Sequence, residues 1–163
     1  MSGQELDRGP MEDIATSAEA AEAAVFPDAG VVLTDGCGHS AAERQPLPEA
    51  MAAKPMEQKS PAEWAYERII LYIQNFESQL DDEHEVVMGF VGGGAGTMHI
   101  QGMGFYAPDI VTFYGVDEMG TKTQMVQHVS QLNVTLKATR KPVETEPAAR
   151  IGFALTHGLN NRT

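Results

Sequence analysis

The sequence changes character at Ser60-Pro61, and that change limits the folds open to it. Residues 1–58 are rich in Ala, Glu, Pro and Gly and hold one aromatic side chain, Phe26. After the break comes SPAEWAYERIILYIQNFESQL, followed by short strand-like runs separated by glycine-bearing turns. One helix followed by strands on short connections leaves no crossover helices to join parallel strands. The sequence therefore predicts an α+β fold: one long N-terminal helix packed on an antiparallel sheet of five or six strands. The predicted limits are a disordered acidic leader over 1–58, a folded domain over 59–156 and a frayed tail over 157–163.

The helix carries its own start signal. Ser60 is a good N-cap, Pro61 suits the first helical position, and Glu63 stands three residues after Ser60 to complete a capping box. Ala62, Ala65/Tyr66, Ile69, Tyr72/Ile73, Phe76 and Leu80 then recur every three or four residues as one apolar stripe. Trp64 and Leu71 lie off that stripe, so they either widen the buried face or form a contact for a second subunit. The charged run Asp81–Glu85 closes the helix and reads as solvated linker, because carboxylates are disfavoured at the negative end of the helix dipole.

Strand patterns fill the remainder. Val86–Val91 is continuously apolar, as suits a central strand covered on both faces. Gly92–Gly96 reads as a loop into Thr97–Gly102. Asp109–Val116 and Lys122–Val129 flank Asp117-Glu118-Met119-Gly120 and predict a hairpin. Leu132, Val134, Leu136 and Ala138 alternate with polar residues, and Ile151, Phe153 and Leu155 predict a last strand of period two. In the leader, residues 11–26 favour helix, and Gly30–Thr34 is a candidate strand.

Charge and cysteine content restrict function. The leader carries three basic and eleven acidic residues, and residues 59–163 carry eight and twelve. The net charge of −12 disfavours nucleic acid and anionic membrane, both of which need Lys/Arg neutralisation. No run approaches a membrane span, and the first residues lack the pattern of a secretory signal, so the expected location is cytoplasmic. The single Cys37 excludes an intramolecular disulfide framework, and Cys37 with His39 supplies two ligands where a structural zinc takes four.

Motifs that suggest chemistry lack their required context. Gly102–Ala107 matches the alanine variant of the dinucleotide fingerprint, but a strand rather than a phosphate-binding helix follows it. Gly92–Gly96 lacks the Gly-Lys-Ser/Thr ending of a P-loop. His99 and His128 fall on predicted strands without metal-ligand spacing, and Ser130 near His128 matches no known serine–histidine context. No cofactor, metal or catalytic residue is assigned.

Two resemblances add to this reading. WAYERIILYIQNFESQLDDEHEVVMGF, GMGFYAPDIVTFYG, QMVQHVSQLNV and ARIGFAL resemble a small bacterial family of unknown function across roughly residues 60–155. That family implies a domain and no activity. VQHVSQLNVTL after Gly120 weakly resembles the strand–turn–strand of Sm-like RNA-binding proteins, with Val129 where that family has an aspartate.

The leading expectation is a non-enzymatic protein-binding or assembly module that self-associates through an edge strand or the Trp64/Leu71 side of the helix. The rival is a small-molecule-binding protein or enzyme with a pocket formed by His99, Tyr106, Asp109, Tyr114, His128 and Asn133. Sm-like RNA binding is the third reading.

Overall fold

The computed structural model describes residues 29–34, 41–90 and 96–161. The helix-favouring stretch 11–26, the Cys37-Gly38-His39 segment and Gly92–Ala95 lie outside the described residues. In chain order the elements are α1 (Glu49–Ala52), α2 (Pro61–Ser78), β1 (His84–Phe90), β2 (Thr97–Tyr106), β3 (Ile110–Asp117), β4 (Lys122–His128), β5 (Val134–Arg140) and α3 (Ile151–Asn160). Short 3₁₀ turns lie at Ala42–Arg44, Met56–Gln58 and Val129–Gln131. The fold is α+β, with three helices and a five-stranded antiparallel sheet among the described residues.

Ser60 caps α2 as its sequence implies, the Oγ accepting the Glu63 N–H at 3.2 Å with Pro61 at the helix start. The hairpin between β3 and β4 is also local chemistry. The Asp117 carboxylate accepts the Met119 and Thr121 N–H groups, and Gly120 takes φ +79°, a conformation that favours glycine.

The sheet order is β4-β3-β2-β1-β5, which places consecutive strands β4 and β5 on opposite edges. Four strand spacings in a flat sheet come to about 19 Å. Five residues, three of them in a 3₁₀ turn, join His128 to Val134 and span only about 16 Å. The sheet must therefore curl. A register shift between Ile100 and Gly102 bends β2, which pairs with β3 almost throughout but with β1 only at Met88↔Met98 and Gly89↔Thr97.

The concave side holds the main core, in which Ala62 and Ile73 of α2 meet Val86, Met88, Phe90, Met98, Ile100, Val111 and Phe113. The Phe90 and Phe113 rings pack edge to face at 5.1 Å. A second cluster, Met51, Tyr66, Ile70, Leu71 and Leu159, lies on the other flank of α2. The buried stripe is consequently wider than the first pattern implies, taking in Ile70 and Leu71 while Tyr72 is exposed.

Several sequence expectations are corrected. Ile151–Leu155 is not a strand but the start of α3, because Ile151, Leu155 and Leu159 recur every four residues and form one apolar face against α2 and β2. The predicted fraying from His157 gives way to helix through Asn160, with Leu159 buried. Gly30–Thr34 is not a strand. Glu85 is buried at the start of β1 rather than in solvated linker.

Residues 41–58, which composition groups with the leader, lie against α2 together with Lys59. Met51 is 1% exposed within the second cluster. Lys59 is also buried and anchors the segment, its ammonium bonding the Glu67 carboxylate at 2.7 Å and the Met51 carbonyl oxygen. Composition missed this because the anchors are few and single, one Met and one Lys among small residues.

Candidate functional site

The residues proposed as a pocket were His99, Tyr106, Asp109, Tyr114, His128 and Asn133, and strand parity decides where each one goes. Successive side chains on a strand alternate between faces. Met103, Phe105, Val111, Phe113 and Met125 face the core. Tyr106, Tyr114 and His128 share the opposite, outer face of β2, β3 and β4, beside Val126. Tyr106 is 78% exposed and Val126 61%, with Tyr114 partly exposed along the glycines Gly102 and Gly104. This is the outer side of the curled sheet, where the two tyrosine rings and Val126 stand among Thr112, Gln124 and His128.

At one corner of this face Asp109, His128 and Ser130 form a chain of hydrogen bonds. His128 Nε2 lies 2.9 Å from Asp109 Oδ2, and Nδ1 lies 2.8 Å from Ser130 Oγ. The Ser130 backbone N–H also donates to Nδ1 at 3.1 Å, so Nδ1 accepts and Nε2–H of the neutral ring donates to Asp109. The order of groups is that of a hydrolytic triad, but its setting is different. The ring is half exposed, and its accepting nitrogen already caps the Val129–Gln131 turn. The Val129 N–H donates to the Asp109 carbonyl at 2.8 Å. These bonds fix the bend that carries the chain from β4 toward β5. Asn133 is exposed on the link into β5.

His99 instead borders a cleft of about 390 Å³, open where β1 and β2 diverge and flanked by Glu85, Gln101, Asp117, Glu118 and Ile151. Its carboxylates already hold structure. Glu85 accepts the Ala149 N–H, Asp117 closes the hairpin turn, and Glu118 accepts the Thr97 hydroxyl. No group of three or more His, Cys, Asp or Glu side chains among the described residues is arranged to hold a metal. The six pocket residues therefore divide: Tyr106, Tyr114 and His128 on the outer face with Asp109 bonded at its corner, Asn133 on the link to β5, and His99 at the cleft.

The other expected contact, Trp64 with Leu71, is occupied by the chain itself. Leu71 packs in the second cluster. The Trp64 indole N–H donates to the Met56 carbonyl, while Lys59 and Arg68 lie 4.5 and 4.9 Å from the ring centroid. Beside them a hollow of about 290 Å³ separates Glu43–Leu47 from Arg68 and Tyr72. Tyr72 donates to Glu43, and that bond holds the phenol proton, raising its pKa above the usual value.

What sequence reasoning missed is the edge beside the aromatic face. The bonds Asp117 N–H to Thr121 O and Val129 N–H to Asp109 O fix the alternation between β3 and β4. Odd-numbered β4 residues bond β3, so Gln124 and Val126 direct their N–H and C=O groups outward. Among the described residues no strand pairs with the outer edge of β4 or β5. Single-sequence periodicity locates strands but not their order, so it gives no sign of which ones are edges.

These features define a helix-backed, curled antiparallel sheet with an aromatic outer face and, among the described residues, two unpaired edges. The chain belongs to a family of unknown function, DUF6173, whose profile matches residues 56–154. No curated protein and no solved structure matches it. Among the described residues no helix is long and apolar enough to cross a membrane.

Proposed function

We propose that this chain is a non-enzymatic assembly module that binds protein by strand addition at the outer edge of β4. The carrying observation is that this seven-residue edge has backbone groups at Gln124 and Val126 that no described strand pairs, beside exposed Val126 and Tyr114. Edges of monomeric sheets are usually protected by lysines, prolines, bulges or a covering element. β4 has one lysine, Lys122, no proline and an unbroken register with β3. β5, by contrast, carries Lys137 and Arg140. Each main-chain hydrogen bond gained contributes about 0.5–1.5 kcal/mol net, so a full edge gives a specific contact of moderate strength.

The test combines sedimentation velocity with amide exchange across a concentration series. Association should appear with concentration, and the Gln124 and Val126 amides should become protected. Val126→Pro removes one outward donor without touching a bond to β3, and it should abolish the association. A monomer at every concentration, with both amides exchanging freely, would overturn the proposal.

A second reading rests on Tyr106 and Tyr114. Two exposed rings on one sheet face can stack unpaired bases, in keeping with the Sm-like resemblance of the β4–β5 segment. Only Lys122 adds positive charge along the outer face of β4. Salt-sensitive retention of single-stranded RNA, lost in Tyr106→Ala, is the expected result, and no retention at low salt removes this reading.

A further inference from the structure

The register of the open edge identifies its partner. Resting on strand addition at β4, we infer that the incoming strand is β4 of a second copy, running antiparallel about a two-fold axis at Met125. Three arrangements compete, because two free edges give three pairings: β4 with β4, β4 with β5, and β5 with β5.

Pairing β5 with itself brings the Lys137 and Arg140 side chains of both copies to one seam, and like charges across a seam repel. For β4 against β5, backbone parity gives the answer. The bond from Lys141 N–H to Glu83 O shows that odd-numbered β5 residues face β1, so Val134, Leu136, Ala138 and Arg140 direct their backbone groups outward. The full-length antiparallel register then sets Gln124 opposite Ala138, Val126 opposite Leu136 and Lys122 opposite Arg140. The last pair joins two cations. Moreover, Leu136 faces its own core while Val126 faces solvent, so the two cores fall on opposite sides of the joined sheet.

β4 against β4 has neither fault. In full register Gln124 of each copy faces Val126 of the other, all four with outward backbone groups, and the Met125 pair sits on the axis. Both outer faces lie on the same side, so the Tyr114 and Val126 surfaces become continuous across a ten-stranded sheet. Lys122 of each copy arrives opposite His128 of the other, where the Asp109 carboxylate is hydrogen-bonded to the ring. Charge and register therefore agree on one occupant. An interface of this kind is closed: each copy uses its only β4 edge, and growth stops at two.

Cross-linking separates this arrangement from strand addition in general. In a Cys37→Ser background, chains with Gln124→Cys are mixed under mild oxidation with chains carrying Val126→Cys and, in a parallel mixture, with chains carrying Ala138→Cys. Hydrogen-bonded antiparallel partners bring Cα atoms to about 5.5 Å, within disulfide range. The expected result is a 124–126 disulfide, no species above the dimer, and at least a tenfold weaker dimer in Lys122→Glu. A 124–138 disulfide in its place, with species larger than dimers, overturns the two-fold arrangement while leaving edge assembly standing. A strict monomer that forms neither disulfide overturns both.

Discussion

Around α2, each buried charged side chain among the described residues has an answering group. Lys59 meets Glu67, Glu77 accepts the Gly152 N–H, and Glu85 accepts the Ala149 N–H. Along β4, Gln124 and Val126 direct their backbone groups away from β3, and no strand among the described residues pairs with them. The difference separates what holds the fold from what is available to a partner. A buried charge is strongly unfavourable unless paired, so the helix side tolerates little change. An exposed edge keeps water as its partner and can exchange it for another strand at small cost to the monomer.

The largest expected effect lies on the helix side. Lys59→Met leaves the Glu67 carboxylate buried without its cation and should lower stability by about 3–5 kcal/mol in urea unfolding. Adding Glu67→Leu should return most of that loss. If the single and double variants are equally unstable, the ion pair does not anchor residues 41–59.

The contact between helices comes next. A Cβ on Gly152 would stand 2.7 Å from Gln74 Cα and 2.8 Å from Glu77 Oε2, so the backbone of α2 blocks any side chain there. Gly152→Ala should cost about 1–3 kcal/mol as an overpacking change, read from the thermal midpoint. An unchanged midpoint would mean that α3 does not dock tightly.

Acidity gives a smaller effect of defined sign. Burial raises the Glu67 pKa despite its Lys59 partner, and burial raises that of Glu77 despite the Gly152 and Ile151 N–H groups. One Glu77 oxygen is buried without a partner. A folded pKa above the unfolded value means that the native state holds the proton more tightly. These two groups therefore oppose folding at neutral pH, and their penalty fades as pH falls through the raised folded values toward 4.5. Exposed Asp81 acts oppositely: its bond to His84 holds its carboxyl below 3.8, so its contribution is lost only in stronger acid. Glu77→Gln should flatten the rise in stability between neutral and mildly acidic pH. An unaltered slope would assign the rise to other groups.

The smallest expected effect on folding belongs to the edge. Val126→Pro should shift monomer stability by about 0.5 kcal/mol or less, as surface changes usually do, while removing association. A large loss of stability in that variant would show that β4 is supported from its outer side by its own chain.

Legibility in the sequence followed the range of the interaction that fixed each element. The α2 cap lies within four residues, and the β3–β4 turn is closed by Asp117 and Gly120, so both were readable. β1 was legible as a central strand because Val86 through Phe90 leave no polar face. α3 was misread because Ile151, Phe153 and Leu155 alternate, whereas the deciding spacing of Ile151, Leu155 and Leu159 runs past the expected end of the domain. Phe153, which completed the false alternation, is exposed. Of the candidate site, His128 and Asp109 were named within one pocket, but the bond between them spans nineteen positions and required the β3–β4 register.

The sequence by itself determined where the helix starts, which segments extend, where the hairpin turns and how charge divides at Ser60, since each depends on neighbours along the chain. Only the tertiary structure decided the strand order, the open β4 edge, the packing of residues 41–59 on α2 and the division of the candidate pocket. Those depend on which strands become neighbours, a choice set by burying the Phe90–Phe113 core within a curled sheet.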